Sequence, residues 1–93
     1  MKEKYFDKAL QFAIKAHSGQ KRKWTTIPYI LHPIEVCAIV ATLSDDDEVL
    51  SAALLHDTVE DTDVTMEDIR ANFSEKIAKL VESETENKRK DLP

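Results

Sequence analysis

Ala52-Ala53-Leu54-Leu55-His56-Asp57-Thr58-Val59-Glu60-Asp61 is the stretch on which the fold of this chain turns. Four apolar residues run directly into a histidine and three acids, so a helix that must be buried takes ionisable groups inward with it. An unpaired charge in such a place costs several kcal/mol, and a divalent cation removes that cost. Residues four apart on a helix are offset by only about 40° around its axis, which lays His56 over Glu60 and Asp57 over Asp61. Both pairs can therefore face one cavity. The same doublets also occur as a helix-end cap and a solvated turn, and spacing alone does not choose between the two.

On the N-terminal side, Ser44 to Glu48 supplies a cap and an acidic first turn, so this helix is predicted from Asp46 to Asp57 or slightly beyond. Further back, Pro33 suits the first turn of a second helix running to about Leu43, with His32 at or beside its N-cap. Phe6, Ala9, Leu10, Ala13, Ile14 and His17 recur at helical spacing and predict a first helix that ends at Gly19. Between the two, Lys21-Arg22-Lys23-Trp24-Thr25-Thr26 reads as an exposed basic loop, and Pro28 holds Ile27 extended.

On the C-terminal side, Thr65 and Asp68 approximate a capping box, flanked by Val64 and Ile69 as a hydrophobic staple. A short fourth helix is predicted there. Ser74 caps a fifth with a stripe of Ile77, Leu80 and Val81, after which Glu82 to Asp91 is almost wholly polar. Residues 86–93 are expected to be a polar loop leading to a further, C-terminal part. The fold class is all-α, one domain over residues 1–93.

Bulk properties agree. The 93 residues are 42% apolar and 33% charged with a single glycine, which leaves little material for hairpins. A chain of this size buries only roughly 60–65% of its unfolded surface, so the core is thin and a second copy or a further segment could cover it. Thirteen basic against eighteen acidic residues leave a net charge of −5, which argues against nucleic acid as a partner. Cys37 is the only cysteine and is expected to be buried; a cytoplasmic protein without a membrane segment is the expectation.

The doublet cannot complete a coordination sphere alone, and His32 is the best further ligand, giving His32, His56 and Asp57. Mixed imidazole and carboxylate donors suit Mn, Fe, Ni, Zn or Mg to differing degrees. Glu60, assisted by Asp61, is placed to take a proton from an attacking water. Arg22 and Lys23 can hold phosphates, though a solvated charge run looks the same. Trp24 and Tyr29 can stack on a base, with a place in the core preferred for both; His17 reads as structural, closing the first helix against Gly19 and Gln20.

Three stretches, Ala16-His17-Ser18-Gly19-Gln20-Lys21-Arg22-Lys23, Pro28-Tyr29-Ile30-Leu31-His32-Pro33 and Ala52 to Thr62, resemble the HD-domain superfamily of metal-dependent phosphohydrolases. They are more closely similar to the hydrolase domain of RelA/SpoT-type alarmone enzymes and their small stand-alone relatives. The resemblance implies an HD-domain helical bundle, here its N-terminal half with about five helices. It implies Mn2+ held by His32, His56 and Asp57, with Glu60 and Asp61 acting on water and Arg22, Lys23 and Tyr29 on the nucleotide. The implied reaction removes the 3′-pyrophosphate of guanosine tetra- or pentaphosphate. Family members are longer and take a fourth ligand, an aspartate, from a later helix that these residues do not include, so the 93 residues alone are expected to be inactive. Trp24-Thr25-Thr26-Ile27 also departs from the glycine-containing loop usual before the Pro-Tyr pair. Hydrolysis of another nucleotide, a nucleotide sensor without turnover, and a metal-free helical interaction domain are the alternatives.

Overall fold

The computed structural model describes the backbone of residues 1–90 and the side chains of residues 1–84. Among these are five helices and no strand: α1 (Phe6–Ala16), α2 (Leu31–Ala41), α3 (Asp47–Asp61), α4 (Met66–Asn72) and α5 (Glu75–Lys90). The all-α reading holds, and α3 is the centre of it. It packs against α1, α2 and α5, while α4 rests on α5. Being enclosed on several sides, α3 buries Leu50, Ala52, Leu54 and Leu55 together with the polar Ser51, Asp57 and Thr58. Each leucine so buried contributes about 1.5–3 kcal/mol. The two hydroxyls turn back onto their own helix, Ser51 donating to the Asp47 carbonyl at 2.7 Å and Thr58 to that of Leu55 at 2.6 Å.

Against α3, α1 presents Ala9 and Ala13, both fully buried and small enough for the two helices to approach closely. Ile14, expected on the same face, is exposed, because two alanines and Leu10 already fill the contact. The N-terminus of α1 is held from a distance. Asp47, the first residue of α3, accepts the backbone N–H groups of Lys4 (3.1 Å), Tyr5 (3.0 Å) and Phe6 (2.9 Å). Two of the donors that a helix start leaves without partners, and the N–H just before them, are thus satisfied by one carboxylate.

Helix α2 starts two residues earlier than its proline suggested. Ile30 is the N-cap and its carbonyl takes the first helical bond, from Ile34 N at 3.2 Å. Pro33 still lies in the first turn, where no N–H is needed, but His32 is not the cap; it is inside the helix with its ring free to reach α3. Cys37 is buried as expected, with burial pushing its thiol up, and its Sγ lies 3.5 Å from the Leu50 carbonyl. The rest of α2 is apolar on nearly every side, yet Leu31, Ile34 and Ile39 are exposed, as is Leu43 just beyond it.

Asp46 caps α3 through Glu48 N (2.8 Å) and Val49 N (3.3 Å) and also meets Lys76 Nζ of α5 at 2.8 Å. The Lys76 ammonium, then the backbone bonds, hold the Asp46 carboxyl below its usual range, and Asp46 raises Lys76 in turn. The capping box of α4 forms in full between Thr65 and Asp68, and Ser74 accepts from Ile77 N at the start of α5. Helix α5 continues to Lys90, so residues 86–90, expected as loop, are helical. Glutamate, lysine and arginine propagate a helix in water without a face to bury. Residues 91–93 of that expected loop lie outside the described residues. No helix of the described residues is long and apolar enough to cross a membrane.

Candidate metal centre

The last turn of α3 carries the site, and the helix had to run on to Asp61 for that. Asp57 is 1% exposed and faces two imidazoles: its Oδ1 lies 3.1 Å from His56 Nε2 and its Oδ2 lies 3.3 Å from His32 Nε2. His32 comes from the first turn of α2, so the packing of α2 on α3 creates this meeting. One turn on, oxygens of Asp57, Glu60 and Asp61 lie within 4.8 Å of one another. The compact group is the three carboxylates, and the imidazoles approach Asp57 on its separate oxygens.

The orientation of His56 bears on what this group can hold. Its Nδ1 is 2.8 Å from the Ala53 carbonyl, an atom that can only accept, so Nδ1 carries hydrogen and donates. Nε2 then either carries a second hydrogen toward Asp57 or offers a lone pair to a cation between them. Fixing one ring nitrogen on a carbonyl and aiming the other inward is the usual support of a metal-ligating histidine. Two imidazoles and clustered carboxylates on one buried acid therefore fit a divalent cation of borderline or hard character.

Tyr29 lies at the same place, although its sequence neighbours suggested core or base stacking. Its hydroxyl is 3.0 Å from Asp61 Oδ2 and 3.1 Å from Asp57 Oδ2. Burial first, then the negative charge of Asp57 and the hydrogen bond to Asp61, push the phenol far above its ordinary range, so it remains a donor. The ring is flanked by His17 at 4.9 Å and His32 at 5.7 Å between centroids. His17 is buried, with Nδ1 2.8 Å from Gln20 Oε1 and no hydrogen-bond partner for Nε2 among the described residues. Its contact with Gln20 agrees with the structural reading. Its contact with Tyr29 was not legible, because the two are twelve residues apart in an irregular segment.

Residues 20 to 29 fold back on themselves. Arg22 N donates to the Ile27 carbonyl and Tyr29 N to the Gln20 carbonyl, both at 2.8 Å. Arg22 reaches α2 through Glu35, with Nη1 3.5 Å from Oε1, and Lys23 stands at the exposed tip with its Nζ 5.5 Å from the centre of the Trp24 ring. Trp24 is not in the core. It is 92% exposed and has a φ of +66°, a left-handed conformation that a bulky residue adopts only at some cost. The tight return of the loop demands that conformation at its tip, and the tip points away from the bundle. On the other side of His56 a cavity of about 240 Å³ opens between α2, α3 and α5, lined chiefly by Val36, Val49, Ala52, Ala53 and Leu80. An apolar wall of that kind does not suit a polyphosphate.

A helical bundle with histidine and aspartate adjacent on its central helix defines a class, and the chain belongs to the HD-domain family, which it matches over residues 9–91. The similarity to RelA/SpoT-type enzymes is borne out by particular relatives. The chain is 53% identical over 78 residues to a guanosine-3′,5′-bis(diphosphate) 3′-pyrophosphohydrolase of Aquifex aeolicus, which covers 84% of this chain and 11% of that one. It is 42% identical over 90 residues to the GTP pyrophosphokinase rsh of Brucella ovis, covering 97% of this chain and 12% of that one. Among solved structures it superposes on a metazoan ortholog of SpoT that hydrolyzes ppGpp and plays a role in starvation responses, with a TM-score of 0.80 and 40% identity, over 88% of this chain and 48% of the other. The chain thus spans about a tenth of the length of the curated relatives and about half of the solved one.

Proposed function

We propose that these residues are the metal-binding part of an HD-type phosphohydrolase that removes the 3′-pyrophosphate of guanosine tetra- or pentaphosphate. The observation that carries this reading is the convergence of His32 and His56 on the two oxygens of buried Asp57, with Glu60 and Asp61 one turn away. The relatives' names include a pyrophosphohydrolase and a pyrophosphokinase, each describing a chain of which this one matches only a small part. A carboxylate-rich centre with two imidazoles favours the hydrolytic alternative, since hydrolysis needs a cation and a group that accepts a proton from water.

In this reading His32, His56 and Asp57 hold Mn2+ or a similar divalent cation. The cation, when bound, acidifies water and neutralises phosphate charge. Glu60 would accept the proton of the attacking water, assisted by Asp61, whose carboxylate lies in the same group. Arg22, which reaches α2 through Glu35, and Lys23, at the loop tip, are the cationic groups that would meet the phosphates. The partner is a small nucleotide, in the cytoplasm, with neither nucleic acid nor membrane involved. A second copy of the chain is the simplest cover for the apolar outer side of α2.

The 93 residues taken alone are proposed to bind the cation but not to turn over, because the family resemblance takes a fourth ligand, an aspartate, from a later helix. Incubating the chain with Mn2+ and guanosine tetraphosphate tests both statements. Mn2+ binding without pyrophosphate release is the expected result, and release of pyrophosphate by the 93 residues would remove the requirement for a fourth ligand. Preferential hydrolysis of a deoxynucleoside triphosphate or a cyclic dinucleotide by a longer form of the chain would replace the substrate.

A further inference from the structure

We infer that Tyr29 is a positioning residue whose hydroxyl ties Asp61 to Asp57 and so holds the carboxylate group together for the cation, an inference that rests on the metal reading above. Two acids one turn apart on the same helix face repel when both are ionised, and Asp61 is exposed, with solvent available to it in other rotamers. A single phenol hydrogen between Oδ2 of each, at 3.0 and 3.1 Å, offsets that repulsion and selects the rotamer in which both point the same way. The phenol itself has little freedom. Its ring lies between those of His17 and His32, and its backbone N–H is bonded to Gln20, the residue that also holds His17.

His17 completes the device as a wall. With Nδ1 engaged by Gln20 and Nε2 buried without a hydrogen-bond partner among the described residues, it meets Tyr29 through a tilted ring contact, 4.9 Å between centroids, and not through a hydrogen bond. The hydroxyl of Tyr29 is already committed to two carboxylates, which distinguishes this role from the substrate contact that its place in the sequence suggested.

Tyr29→Phe keeps the ring and both ring contacts and deletes only the tie. Mn2+ binding to the 93-residue chain, counted by the electron paramagnetic resonance signal of the free ion, is expected to weaken about tenfold or more in this variant, the usual cost of losing a group that orients a ligand. Its melting temperature without metal reports folding. Asp61→Ala provides a second route: if the hydroxyl acts by joining the two acids, the double variant should bind Mn2+ no more weakly than the weaker single one. Equal affinity of folded Tyr29→Phe and the unaltered chain would overturn the inference, as would additive losses in the double variant. Failure of the unaltered chain to bind Mn2+ at all is a different result, which removes the metal reading and this inference with it.

Discussion

His56 Nε2 lies 3.1 Å from Asp57 Oδ1 while the other nitrogen of the same ring is held by a backbone carbonyl one turn back. Neighbours in sequence on a helix normally diverge by about 100°. Here the imidazole folds across to meet its neighbour's carboxylate, which places a nitrogen donor at the mouth of a buried acid.

A divalent cation that binds the folded chain must raise its stability. At a hundred times its Kd, Mn2+ adds about 2.7 kcal/mol, on the order of 10–20 °C in Tm for a domain of this size. Thermal melts with and without a chelator measure this. His56→Ala is expected to melt at the same temperature in both, and a full Mn2+ response in that variant would remove His56 from the ligand set.

Asp47 is predicted to matter more to stability than its place on the first turn of α3 suggests. It satisfies three backbone donors at the start of α1, 41 to 43 residues away. Asp47→Ala should cost about 1–3 kcal/mol in urea unfolding, with Asp47→Asn in between because one acceptor oxygen survives. A loss no larger than that of an exposed aspartate such as Asp63 would contradict the cross-helix cap.

The pair of Asp46 and Lys76 predicts a pH window. Asp46 is held low in the folded state, so its contribution exists above its unfolded value of about 3.9 and fades as pH falls through the folded one. Lys76 is held high, so its contribution is complete below about 10.4 and fades as pH rises through the folded value. Stability curves of the unaltered chain and Lys76→Met should therefore differ near neutrality and converge at both extremes. Because the pair is exposed, added salt should shrink the difference; a gap independent of pH and salt would point to packing of the lysine stem instead.

Trp24→Asn should leave the fold unharmed or stabilise it by up to about 1 kcal/mol, since asparagine tolerates the left-handed conformation that tryptophan adopts at the loop tip. Chemical denaturation gives the sign. Destabilisation would mean that the exposed indole and Lys23 hold the loop in shape.

Much of the architecture follows from local chemistry. Asp46, the Thr65 and Asp68 box, and Ser74 each act on backbone groups within three residues, so their helices could be read from sequence alone, and so could the grouping of Asp57 with Asp61 on one face, because helical spacing is a property of the chain. The end of α3 was less legible, since a polar turn and a buried acidic one have the same composition; only the approach of α2, which brings His32 onto Asp57, distinguishes them. Tertiary structure also decided the places of Tyr29 and Trp24. Both are large aromatics in the same loop, and pattern assigns both to the core. Their backbone separates them: the turn at Trp24 sends one indole into solvent, while the bond from Tyr29 N to Gln20 brings the phenol between two imidazoles and onto two carboxylates. Contacts of that kind join residues 28 and 32 positions apart, where no periodicity in the sequence carries information about distance.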